Sequence, residues 1–124
     1  MKSKLLVLTL IIIFIPVCAL SECISGNCEN GTGVFVFDNG DRYEGEFKGG
    51  RMHGEGTLIA NDGSKYVGEF KNNELNGHGI MVRADGVKYV GQFKDGKLHG
   101  KGTLTAPDGK KLEGRFKNGE FVGE

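Results

Sequence analysis

From Tyr43 the chain alternates with a period of two. Tyr43, Gly45 and Phe47 fall on one face of an extended strand, and Glu44 and Glu46 fall on the other. Gly49-Gly50 follows, and then a second alternating run, "HGEGTLI", in which Gly54, Gly56 and Leu58 share a face. Two alternating runs joined by a tight-turn dipeptide predict a β-hairpin. The same pattern returns every 23 residues. Tyr43, Tyr66, Tyr89 and Leu112 share one column; Gly45, Gly68, Gly91 and Gly114 share the next, followed by Phe47, Phe70, Phe93 and Phe116. In the second run Gly54, Gly77 and Gly100 align, as do Gly56, Gly79 and Gly102.

Asn72-Asn73, Asp95-Gly96 and Asn118-Gly119 occupy the place of Gly49-Gly50. All but the Asn-Asn pair are strong tight-turn dipeptides, because such turns require positive φ. Asp62-Gly63, Asp85-Gly86 and Asp108-Gly109 turn the chain from one unit into the next. The expected organisation is a half repeat at 31–42 and repeats starting at 43, 66, 89 and 112, the repeat domain running over 31–124.

The glycine columns leave room for rings to lie flat against the backbone of a facing strand. One such hairpin cannot cover both sides of its own aromatic row, so it is unstable alone, whereas stacked copies cover one another. The expected fold is therefore all-β, a single-layer array of stacked antiparallel hairpins. The pattern YxGxF(K)xxxxxGxGxL at this spacing resembles the MORN repeat (membrane occupation and recognition nexus). The resemblance covers residues 31–124 and departs from the pattern only in detail, with Leu112 in place of the first aromatic and Gln92 and Arg115 in the column of Glu46. It implies an accessory role: a module that scaffolds, oligomerises, or holds another domain near a membrane. The family name also implies direct binding of phospholipid head groups.

Composition narrows the picture. The chain has 124 residues, of which 22 are Gly and only two are Pro, with no Trp. That is one domain's worth, too rich in Gly for a packed helical domain and without the period of three of collagen. The formal net charge is zero, so no bulk basic field points to nucleic acid.

The beginning of the chain reads differently. Lys2 and Lys4 precede a 13-residue apolar run, Leu5 to Val17, and Ala19-Leu20-Ser21 supplies small residues at the two positions a signal peptidase reads. Residues 1–21 are therefore expected to be a signal-peptide helix cleaved after Ser21, directing the remainder to the periplasm, cell surface or medium. An uncleaved anchor and a lipidated cysteine are the alternatives. Val17 before Cys18 and Glu22 before Cys23 fit lipidation poorly. Export leaves Cys23 and Cys28 as an even pair within a segment spanning 22–30, and a local disulfide is expected there. A metal pair would need a third ligand, and no His or further Cys is near.

Candidate chemistry is then weighed against repetition. His53-Gly54-Glu55-Gly56 offers an imidazole, a carboxylate and a Gly-x-Gly loop. Yet Gly54 and Gly56 recur in each complete unit, and no helix follows to present a phosphate-binding terminus. His53 and His99 share a column two hairpins apart, on the order of 20 Å, and His78 is no closer, too far for a shared metal. Glu44, Glu46 and Glu69 are expected to form a solvated ladder of weak ion pairs with neighbouring Lys and Arg. No catalytic, cofactor or metal site is expected.

One feature lies outside the repeat. Residues 22–82 carry ten acidic and five basic side chains, whereas 83–124 carry six acidic and nine basic ones. Lys94, Lys97, Lys101, Lys110, Lys111, Arg115 and Lys117 stand in the basic part as candidate contacts to an anionic surface. Three partners follow: an unidentified protein held by a scaffold, a second copy attracted head to tail, or an anionic membrane surface.

Overall fold

The computed structural model describes residues 21–124, and these form one antiparallel sheet of ten strands. In order they are β1 (Glu22–Gly26), β2 (Gly31–Val36), β3 (Arg42–Lys48), β4 (Arg51–Ile59), β5 (Lys65–Lys71), β6 (Glu74–Val82), β7 (Lys88–Lys94), β8 (Lys97–Thr105), β9 (Lys111–Lys117) and β10 (Glu120–Gly123). Each strand pairs only with its neighbours in the chain, so the sheet is an open meander. It is the single-layer hairpin array that the alternation predicts, with no helix among the described residues. The expected signal helix lies outside them.

The tight turns show why their dipeptides recur. Both central residues are left-handed in every case, at φ 58° and 76° for Gly49-Gly50 and 51° and 81° for Asp95-Gly96. Asn72-Asn73 adopts the same shape without glycine, at φ 48° and 73°, as short polar side chains tolerate this region. Each turn is also stitched to the one before. The Asn73 N–H donates to the Met52 carbonyl at 3.0 Å, and Gly96 and Gly119 donate in the same way to Leu75 and Leu98. The Met52 N–H in turn donates to Asn73 Oδ1 at 2.9 Å, which explains an asparagine where the other units use glycine.

The core is one row of rings along a single face. Tyr43, Phe47, Met52, Tyr66, Phe70, Tyr89, Phe93 and Phe116 are its buried members. Within each hairpin, Tyr and Phe meet edge to face with centroids 5.0 or 5.1 Å apart. Between hairpins the contact repeats, Tyr43 on Phe70, Tyr66 on Phe93 and Tyr89 on Phe116, at 5.0 to 5.2 Å. Every tyrosine is thus gripped by its own phenylalanine and by that of the next unit, the T-shaped geometry that aromatic quadrupoles favour.

Leu58, Leu75, Met81, Leu98 and Leu104 pack alongside the row, and each tyrosine ring lies against bare backbone. Gly68 and Gly79 are directly paired, and the Tyr66 ring lies across them. A Cβ on Gly79 would come within 2.5 Å of the ring carbon that bears the hydroxyl, and one on Gly68 within 2.5 Å of the Gly79 Cα. Gly45 with Gly56 and Gly91 with Gly102 make the same seat for Tyr43 and Tyr89. The hydroxyls find partners too, donating to the carbonyls of Glu46, Glu69 and Gln92 at 2.8 to 2.9 Å.

The two ends are finished differently. Residues 22–30 are more than a pinned segment, since Glu22–Gly26 is a strand that pairs with β2. Gly33 is the counterpart of Gly56, and a Cβ there would meet the Cys28 sulfur at 2.9 Å. The Cys23–Cys28 disulfide therefore fills the place that a tyrosine ring fills in later units. At the other end Leu112 stands in the tyrosine column and is 45% exposed. Phe121 instead closes the row against Phe116 at 5.3 Å.

Burial has a measurable consequence. It pushes the Tyr43 and Tyr66 hydroxyls up to about 12 from the ordinary value of 10.0, with the carboxylates of Glu46 and Glu69 respectively adding to the rise. Burial raises Tyr89 as well. A folded-state value above the unfolded one means that the neutral ring is favoured by folding. Its contribution is complete below pH 10 and is lost as pH rises from 10 through about 12. These are the chain's three tyrosines. In a pH titration the tyrosinate absorbance of the folded protein should therefore rise later than that of the denatured chain, with the two steps of Tyr43 and Tyr66 held back to about pH 12 while circular dichroism shows the sheet intact. Half of the tyrosinate signal at pH 10 with the sheet intact would contradict the burial.

Candidate interaction surface

The face opposite the rings is uncovered, and register arranges its side chains in rows that cross the strands. One row runs Glu44, Thr57, Val67, Ile80, Val90, Thr103, Glu113 from β3 to β9. Val67, Ile80 and Val90 are adjacent across the strands and each more than 40% exposed, a band of β-branched side chains open to solvent. Beside it runs Arg42, Ile59, Lys65, Val82, Lys88, Thr105, Lys111, in which cations alternate with smaller side chains. Near the tight turns Lys94 opposes Lys97, and Lys117 opposes Glu120.

On the other flank of the apolar band the order is Glu46, Glu55, Glu69, His78, Gln92, Lys101, Arg115. Strict pairs, Glu55 with Glu69, His78 with Gln92 and Lys101 with Arg115, alternate here with bulges. At each bulge one residue of the first strand opposes three of the second, for example Glu46 against His53, Gly54 and Glu55. Such a bulge strands a backbone donor, and a side chain supplies the acceptor. Glu46 Oε2 accepts the Glu55 N–H at 2.8 Å, Glu69 Oε2 accepts that of His78 at 2.8 Å, and Gln92 Oε1 accepts that of Lys101 at 2.9 Å.

This corrects the expected ladder of ion pairs. Among the described residues the close charge pairs are His78–Glu69 at 3.7 Å and Arg83–Asp85 at 2.7 Å. Glu46 and Glu69 serve as backbone acceptors instead. The sequence did carry a signal for this role. Gln92 replaces a carboxylate in that column while keeping an acceptor oxygen, which charge pairing would not select.

The structure gathers most of the basic candidates. Lys94, Lys97, Lys101, Lys111, Arg115 and Lys117 extend from this uncovered face, whereas Lys110 stands apart in the loop before β9, its N–H held by Asp108 at 3.0 Å. Two hollows mark the face. One of about 850 Å³ spans β6 to β9, lined by Gln92, Lys101, Lys111 and Arg115 among others. One of about 310 Å³ spans β3 to β6 and is lined by Glu46, Glu55 and Glu69. No group of three or more His, Cys, Asp or Glu able to hold a metal occurs among the described residues. His53 lies beside the acidic hollow with Nδ1 buried and unbonded, remote from His78 and His99 in the register.

A single-layer meander whose rings are seated on glycine pairs, repeated with one period, defines a class: β-hairpin repeat proteins. The MORN repeat profile matches residues 29–42, 43–65, 66–88 and 89–111 in succession. The chain belongs to the MORN-repeat family. Comparison with curated proteins found no match.

The acceptor role sets a prediction. Glu69→Gln should leave the denaturant midpoint nearly unchanged, because the amide oxygen still accepts from His78. Glu69→Ala should cost about 1–2 kcal/mol by leaving that donor unpaired. Equal losses for both variants would show that charge, not the acceptor, is what the fold uses.

Proposed function

We propose that this protein is a non-enzymatic, exported MORN-repeat scaffold that binds a protein partner through its uncovered face. The observation that carries the reading is the contrast between the two faces. Every ring of the repeat is spent on one of them, while the other keeps the Val67–Ile80–Val90 band exposed between rows of charge. An apolar strip rimmed by polar residues is the usual anatomy of a protein-binding patch. The glycines of the Gly54-Glu55-Gly56 motif recur with the period, Gly56 seating the Tyr43 ring and Gly54 making room for the Glu46 carboxylate rather than for a ring, which supports a structural rather than a catalytic role. The Cys23–Cys28 disulfide fits an oxidising, exported environment.

A second reading has its own observation. Six of the seven basic candidates share one face in the later half of the sheet, a geometry suited to an anionic membrane surface. Two experiments separate them. Affinity capture from the cell envelope or medium, with wild type and an Ile80→Glu variant, should retain a partner only with wild type. Flotation with anionic vesicles should leave the protein in the aqueous fraction. Salt-sensitive flotation without protein capture would favour the membrane reading and sink the first.

A further inference from the structure

The sequence divides its charge between an early acidic and a late basic part, but the sheet does something more specific with it. Along one row it sets two like-charged pairs directly opposite each other across strands. Glu55 faces Glu69 between β4 and β5, and Lys101 faces Arg115 between β8 and β9. Like charges directly opposite destabilise a sheet. No ion pair within 4.0 Å relieves Glu55, Lys101 or Arg115 among the described residues. The pair His78–Gln92, which holds no two like charges, lies midway between β6 and β7.

This arrangement is self-complementary. A two-fold axis parallel to the strands, passing between β6 and β7, exchanges β5 with β8 and β4 with β9. It lays Glu69 over Lys101 of a second copy and Glu55 over its Arg115, and the two reciprocal contacts follow by symmetry. The apolar band obeys the same axis, since Ile80 then meets the partner's Val90 and Val67 meets its Thr103. The acidic hollow of about 310 Å³ offers room for the long cationic side chains that arrive there.

We propose that the uncovered face pairs with the same face of a second copy, giving an isologous dimer. The interface spans six strands, β4 to β9, which is five steps of roughly 4.8 Å or about 24 Å, and turns each destabilising pair into two favourable contacts. It requires no chain end, unlike head-to-tail attraction between an acidic front and a basic rear. The proposal rests on reading this face as a protein-binding surface and names the partner.

Charge exchange tests it. All ten strands lie within residues 21–124, so the chain starting at Ser21 carries the entire sheet and is used for sedimentation velocity. Glu55 and Arg115 lend no side-chain hydrogen bond to the fold among the described residues, and circular dichroism checks that substitution leaves the sheet intact. At low salt the expected species is a dimer that dissociates as salt screens the pairs. Glu55→Lys alone and Arg115→Glu alone should each weaken it on the order of tenfold or more. Mixing these two variants should restore a heterodimer, and the double variant Glu55→Lys/Arg115→Glu should dimerise again by itself. A monomer at low salt and high concentration would overturn the proposal. So would a dimer that ignores both substitutions, which would place the contact elsewhere. Capture of another protein by a strict monomer would overturn self-pairing while upholding the scaffold reading.

Discussion

A single layer of sheet has no second layer to bury its side chains, and the whole structure follows from how the tyrosine rings are buried regardless. Each ring lies on the bare backbone of two directly paired glycines and is clasped at its edges by two phenylalanines, one from its own hairpin and one from the next. The glycines are thus space, and their cost in chain entropy is offset by the ring area they allow to be buried. Because each ring needs the neighbouring unit, no hairpin is complete alone. The open ends accordingly require substitutes: a disulfide sulfur over Gly33 at one end and Phe121 against Phe116 at the other. Leu112, in the tyrosine column of the last unit, stays exposed.

Much of this is legible in the chain. Alternation and a 23-residue period give the hairpins, and the turn dipeptides mark their tips, because positive φ and side-chain parity are local properties. Three things are not local, and these the sequence conceals. The bulges place three residues against one, and nothing in the alternation of "HGEGTLI" reveals that Glu46 must reach across to the Glu55 N–H. An exposed carboxylate beside lysines reads as an ion pair until geometry shows which donor it serves. Residues 22–26 read in the sequence only as part of a disulfide-pinned segment, yet backbone pairing with β2 makes them a strand.

The candidate surface was legible only in part. A basic late half is visible as composition, but its division among rows depends on register, which sends Lys101, Lys111 and Arg115 to one face and leaves Lys110 in a loop. Register also converts a loose gradient into two like-charged pairs on either side of His78–Gln92. The Gly-x-Gly motif takes on a different meaning by the same route. Repetition makes it structural, and the geometry identifies what it accommodates. Function on this account belongs to the face that the rings leave free, and the repeat's chemistry is used up in building that face.

The claim that ring burial on bare backbone governs the fold is tested most directly by comparing Gly79→Ala with Gly109→Ala in denaturant unfolding. Gly79 has the Tyr66 ring against it, whereas a Cβ on Gly109, at φ 93°, meets nothing within 4 Å. Gly109→Ala should lose only the conformational term of about 1–2 kcal/mol. Gly79→Ala should lose clearly more, about 3 kcal/mol or greater, because the ring must leave its seat. Equal losses, or a tolerated alanine at Gly79, would contradict the account.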